Sequence, residues 1–133
     1  MEKEILLAFD YGEKKIGVAI GNTFSFTSRP LEIVSNHNKN DCLARLGYLI
    51  DHWGVNRVIV GLSLDLNGSE QMITASIYRF VKRLKDKFQV TVELVDESYS
   101  SMEAQSLLGK NDKDDDAIAA ALIMQRYFNS LSI

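Results

Sequence analysis

Glu4-Ile-Leu-Leu-Ala-Phe-Asp-Tyr-Gly-Glu-Lys-Lys-Ile-Gly-Val-Ala-Ile-Gly21 is the stretch on which the reading of this chain turns. Ile5 to Phe9 is a continuous apolar run, the pattern of a strand buried on both faces, and it ends on a carboxylate, Asp10. Lys15 to Gly21 returns with Ile16, Val18 and Ile20 alternating against Gly17, Ala19 and Gly21. The pair reads as a β-hairpin with an acid at its tip. An ionised Asp at the end of a central strand needs a cation or a metal ion to offset its desolvation. The plainer alternative is an Asx residue stabilising the turn. The small residues of the second strand leave room for a ligand or for another backbone.

The chain has 133 residues, 46% of them hydrophobic and 25% charged, which suits one globular domain over residues 1–133. No apolar run approaches the roughly 20 residues of a membrane span, and the start of the chain lacks a signal sequence. Cys42 stands alone, so no internal disulfide forms. Together these features lead one to expect a cytoplasmic protein with no membrane partner. A net charge of -3 argues against strong non-specific binding of nucleic acid, although acids gathered in one site produce the same total.

Phe24 to Val34 reads as a third extended segment, with Pro30 marking an edge strand or a bulge. Asp41 is a plausible N-cap for a helix to about Trp53, ended by Gly54. His37 and His52 are isolated and read as structural or solvated. Arg57 to Ser63 is a second buried strand. Ser69 to Phe88 follows as a helix, with Asn67 and Glu70 at capping-box spacing before it. One face of that helix holds Arg79, Lys82, Arg83, Lys85 and Lys87, a solvated surface unless other observations make it a phosphate track.

Val90 to Glu97 alternates as a strand and finishes on Asp96 and Glu97, which point to opposite faces, so one of the two can join Asp10. Ser100 to about Leu108 opens with another capping-box pattern and reads as a short helix. The last helix starts in Asp114-Asp115-Asp116. Three acids there favour the positive end of the helix dipole, but Asp116 shares a stripe with Ala119, Ala120, Ile123 and Tyr127 and should face inward. The layout is an antiparallel three-strand meander extended by two parallel strands, a mixed five-stranded α/β sheet. Brought together, Asp10, Glu97 and Asp116 would repel one another by roughly 4 kcal/mol per pair at about 4 Å and an effective dielectric near 20. An oxygen-only set of this kind suits Mg²⁺ or Mn²⁺, and two such ions about 4 Å apart hydrolyse phosphodiesters.

Phe9-Asp-Tyr-Gly-Glu-Lys-Lys-Ile-Gly-Val-Ala-Ile-Gly21, Val58-Ile-Val-Gly-Leu62, Asn67-Gly-Ser-Glu70, Val95-Asp-Glu97, Ser100-Ser-Met-Glu-Ala104 and Asp116 with its Ala-rich helix resemble, in order, the motifs of the YqgF/RuvX family. The resemblance covers almost the whole chain. It implies an RNase H-like fold with helices on both faces of the sheet. It also implies a metal-dependent nuclease, a hydrolase whose metal-binding catalytic acids are Asp10, Glu97 and Asp116. The family is associated with pre-16S ribosomal RNA processing, hence with the pre-ribosome, and earlier with Holliday-junction resolution.

Structured RNA is therefore the first expected partner and branched DNA the second. Lys14 and Lys15 at the hairpin tip, the amides near Gly68 and Ser69, and Arg79, Lys82 and Arg83 are the candidate nucleic-acid contacts. Two readings from other classes stand beside these: a non-catalytic RNA-binding or protein-binding module, and an ATP-binding domain of the actin and sugar-kinase type. Compared with the family pattern, Ser63 replaces a Pro, Asp65-Leu-Asn-Gly68 replaces Asn-Met-Asp-Gly, Ser98-Tyr99 replaces Arg-Leu, and the segment from Glu103 to Asp116 is short. These departures touch substrate contacts and leave the acids intact.

Overall fold

The computed structural model describes residues 3–62, 72–96 and 115–131. Five strands, β1 (Ile5–Asp10), β2 (Lys15–Asn22), β3 (Thr27–Ser35), β4 (Arg57–Leu62) and β5 (Thr91–Asp96), form one sheet in the order β3-β2-β1-β4-β5. β1 to β3 make an antiparallel meander, and β4 and β5 are added parallel to β1. The parallel pairs require crossovers, which α1 (Lys39–Trp53) and α2 (Met72–Phe88) provide. A third described helix is α3 (Asp115–Asn129). This is the mixed five-stranded sheet expected of an RNase H-like fold.

Strand alternation sorts the core into two layers. Leu7, Phe9, Val18, Val58 and Val60 face α1 and α2, where Leu46, Ile77, Phe80 and Leu84 are buried. Leu6, Ala8, Ala19 and Ile59 face α3, against Ala120, Ile123, Met124 and Phe128. Helices therefore cover both faces, and the continuous apolar reading of β1 follows from its central place between them. Among the described residues no helix is long and apolar enough to cross a membrane.

Apart from one-residue differences at strand ends, two boundaries differ from the sequence reading. Helix α1 begins before Asp41: Asn38 is its N-cap, its side-chain oxygen accepting from the Asp41 N–H at 3.0 Å, so Asp41 is a first-turn residue. Phe24 to Phe26 is not extended. The Asn22 side-chain oxygen accepts from the amides of Phe24 and Ser25, which curls the chain into a turn, and Phe26 closes it at φ 56°. Phe26 is held there by an edge-on contact with Phe128, ring centroids 5.5 Å apart. Pro30 does fall beside an irregularity. Val18 pairs with Glu32 and Ala19 with Pro30, so Leu31 is an extra residue bulging from β3.

Candidate active site at the tip of the first hairpin

The β1–β2 register pairs Asp10 with Gly17. Asp10 follows Leu6 and Ala8 on the side of the sheet that α3 covers. Gly17 is where the start of α3 crosses β2: a Cβ there would collide with the backbone carbonyl of Asp116. The small residue thus makes room for another backbone, one of the two alternatives its size left open. Because of this approach, the first turn of α3 lies directly on the strand beside Asp10. Asp116 is half-buried, and Ala119, Ala120, Ile123 and Tyr127 behind it are buried, as the helical stripe predicts.

Asp10 and Asp116 line one cleft of about 250 Å³, together with Gly12, Glu13, Lys14 and Lys15. The Lys15 ammonium lies 3.3 Å from Asp116 Oδ2, the side chains being 52% and 31% exposed. A cation therefore already sits at one of the two acids. The tip itself is fixed from below. Buried Asn36 donates from Nδ2 to the Gly12 carbonyl at 2.8 Å, and its own N–H donates to the Lys14 carbonyl at 2.8 Å. Tyr11 turns to the other face and packs on Phe80, ring centroids 4.9 Å apart.

The remaining candidates divide. Glu97, Gly68 and Ser69 lie outside the described residues, as do Ser63, Ser98, Tyr99 and the expected helix from Ser100. Among the described residues, no three His, Cys, Asp or Glu side chains gather into a group able to hold a metal. The described part of the site is thus a pair of acids, with an oxygen-only donor set that fits Mg²⁺ or Mn²⁺. Val95 packs on the α3 side of β5, which puts Asp96 on the opposite side and removes it as the partner of Asp10.

Arg79 and Arg83 line a second cleft, about 360 Å³, on the α1/α2 side of the tip. Lys82 is not among its lining residues; its ammonium pairs with Asp86 at 3.1 Å on the exposed face of α2. Two residues that the sequence left unremarked belong to this second cleft, Lys39 and Glu13. The register of the tip could have pointed to Glu13. Nothing local marks Lys39, whose position depends on how α1 packs.

The family model described as "Holliday junction resolvase", RuvX, matches residues 4–130. This chain belongs to the RuvX family. A Bordetella pertussis protein named "Putative pre-16S rRNA nuclease" is 52% identical over 132 residues, covering 99% of this chain and 98% of the relative. A Paraburkholderia xenovorans protein of the same name is 42% identical, covering 96% and 89%. Among solved structures, RuvC of T. thermophilus in complex with a Holliday junction substrate superposes with a TM-score of 0.58 at 15% identity, covering 96% of this chain and 94% of that one. The Fowlpox virus resolvase with Holliday junction DNA gives 0.60 at 16%, covering 96% and 98%. At such identities the likeness establishes the shared RNase H-like fold. The RuvX relatives carry nuclease names and the family model a resolvase description.

Proposed function

We propose that this protein is a metal-dependent nuclease that hydrolyses phosphodiester bonds of structured RNA, acting in the cytoplasm on the 5′ end of pre-16S rRNA within the pre-ribosome. The observation that carries this reading is the meeting of Asp10 and Asp116 in one open cleft, brought about by a strand register and a glycine. The nuclease names of relatives as much as 52% identical over nearly their whole length support the substrate class. In this reading residues 1–133 form a single RNase H-like nuclease domain.

In this reading Asp10, Asp116 and Glu97 hold Mg²⁺ or Mn²⁺. Bound there, such ions supply an activated water and stabilise the leaving oxygen. The chain's own residues do the rest. Asp10 presents its carboxylate from a strand end fixed by sheet pairing, so its position costs no reorganisation when substrate arrives. Lys15 screens Asp116 while the site is free of metal, and then turns to the phosphate backbone with Lys14. Gly68 and Ser69 belong to the same reading as backbone contacts to phosphate.

The test is cleavage of a structured RNA containing the 5′ leader of 16S rRNA, with and without Mg²⁺. Asp10→Asn is expected to abolish cleavage while circular dichroism and thermal melting remain those of the parent. Undiminished cleavage by that variant removes the reading. A four-way DNA junction run alongside tests resolution of branched DNA, the reading favoured by the family model's description. Junction cleavage requires two sites related by symmetry, so it also predicts a dimer by sedimentation. Binding of RNA without cleavage under any divalent metal identifies a non-catalytic module.

A further inference from the structure

The second cleft lies against the first, across the hairpin tip, and the two share Tyr11 and Glu13 as a common wall. Its cations come from separate elements. Lys39 is the first residue of α1, and Arg79 and Arg83 are one turn apart on the same face of α2. In a chain of net charge -3, three cations meet here around one carboxylate, that of exposed Glu13. Arg83 is half-buried, and no described carboxylate forms an ion pair with it. Lys39 lies over the Tyr11 ring, its ammonium 3.4 Å from the phenol oxygen. Lys39 and Arg83 also act on one common neighbour: burial pushes the Cys42 thiol up, and both cations pull against it.

Glu13 occupies this positive hollow only loosely. The Ser76 hydroxyl donates to Glu13 Oε1 at 3.4 Å, while Arg79 Nη2 donates to the same hydroxyl oxygen at 3.0 Å. The carboxylate is thus linked to a guanidinium through a hydroxyl, with no direct ion pair between them. An anion with more oxygens and more charge makes better use of the same donors, since guanidinium groups bind phosphate in a bidentate manner.

We propose that this cleft is a second anion site, which takes a backbone phosphate of the same nucleic-acid strand that enters the Asp10–Asp116 cleft, and that Glu13 is the internal carboxylate this phosphate displaces. The strand then straddles the hairpin tip, gripped on one face of the sheet and cut on the other. The inference rests on the nuclease reading for the identity of the strand, but its test does not use cleavage.

The experiment is fluorescence anisotropy of an end-labelled RNA hairpin with a single-stranded 5′ tail, in EDTA, across a series of salt concentrations. Lys39→Gln and Arg83→Gln are each expected to weaken binding several-fold and to reduce the salt slope by about 0.7 to 0.9 per lost phosphate contact. Glu13→Gln is expected to tighten binding several-fold, a gain that misfolding does not produce. Lys87→Gln, at the far end of α2, serves as the surface-charge control. Unchanged affinity and slope in both cation variants, or an equal loss in the control, overturns the proposal, as does weaker binding by Glu13→Gln. A single-stranded DNA of the same sequence should show the same relative losses; losses confined to RNA overturn recognition through the backbone phosphate. If the binding changes occur as expected but no metal supports cleavage, the nuclease reading fails and the anion site stands. If cleavage is robust and binding is indifferent to all three variants, the reverse holds.

Discussion

Gly17 and Asp116 meet backbone to backbone: the strand has no side chain where the carbonyl of the helix's second residue crosses it. Alanine in a strand interior is ordinarily favoured over glycine by roughly 0.5 to 1 kcal/mol. Here the sign reverses, because the added methyl meets a carbonyl and its flanking peptide, which cannot swing aside as a side chain can. Gly17→Ala should destabilise the fold by about 1 to 3 kcal/mol in urea unfolding. It should also lower cleavage more than Ala substitutions of equal cost elsewhere, since it displaces Asp116 from Asp10. A neutral or stabilising Gly17→Ala contradicts the close approach.

Lys15 and Asp116 form an exposed pair, so the bond contributes at most about 1 kcal/mol to stability. Its larger effect is on what else binds Asp116. In the proposed metal-dependent reading, Lys15→Gln removes a cation that would compete with metal, and the expected result is a several-fold gain in Mg²⁺ affinity by calorimetric titration with little change in melting temperature. A weaker Mg²⁺ affinity in this variant counts against metal binding at Asp116.

Asn38, not Asp41, caps the start of α1, its side chain accepting from one free amide, that of Asp41. Asn38→Ala should cost about 1 kcal/mol in thermal or urea unfolding, the usual cost of losing a cap. Asp41→Ala should cost a few tenths of that order, because a first-turn acid contributes through the helix dipole alone. Equal losses would mean that the helix starts elsewhere.

Burial holds the Cys42 thiol above its ordinary value of 9.0, with Lys39 and Arg83 opposing. A folded-state value raised above the unfolded one means that protonated Cys42 stabilises the fold fully below about pH 9 and loses that contribution as pH rises through the folded value. Alkaline unfolding should therefore steepen above pH 9 in the parent and be shallower in Cys42→Ala. Parallel profiles for the two proteins would contradict the shift.

The positions of Asp10 and Asp116, the two described candidate acids, are legible because each sits on a regular element. Asp10 ends an apolar run that is uniform on both faces and so marks the acid without its direction, whereas the stripe through Ala119, Ala120 and Ile123 turns Asp116 inward by local pattern alone. The cap of α1 was misjudged because Asn38, Asn40 and Asp41 are all capable caps, and only the path of the chain out of β3 selects among them. Phe24 to Phe26 departs from the extended reading for a related reason: Asn22 bonds its own turn, and of the two aromatics that look like strand residues Phe26 anchors on α3 while Phe24 is exposed. The meeting of Lys39 with Glu13 is hidden for a deeper reason. Glu13 follows from the hairpin tip, but which cations reach it depends on how α1 and α2 lie across the sheet, which no window of sequence encodes. The role of Gly17 lay between these cases: small residues were evident, but whether a ligand or a backbone would fill the space was not.

Pro30 and the extra Leu31 sit on the outermost strand of the sheet, where an uninterrupted row of amides would invite another chain to zip on. A missing donor and a kink spoil that row. On this flank the molecule is poorly suited to growing fibrils or templating its neighbours.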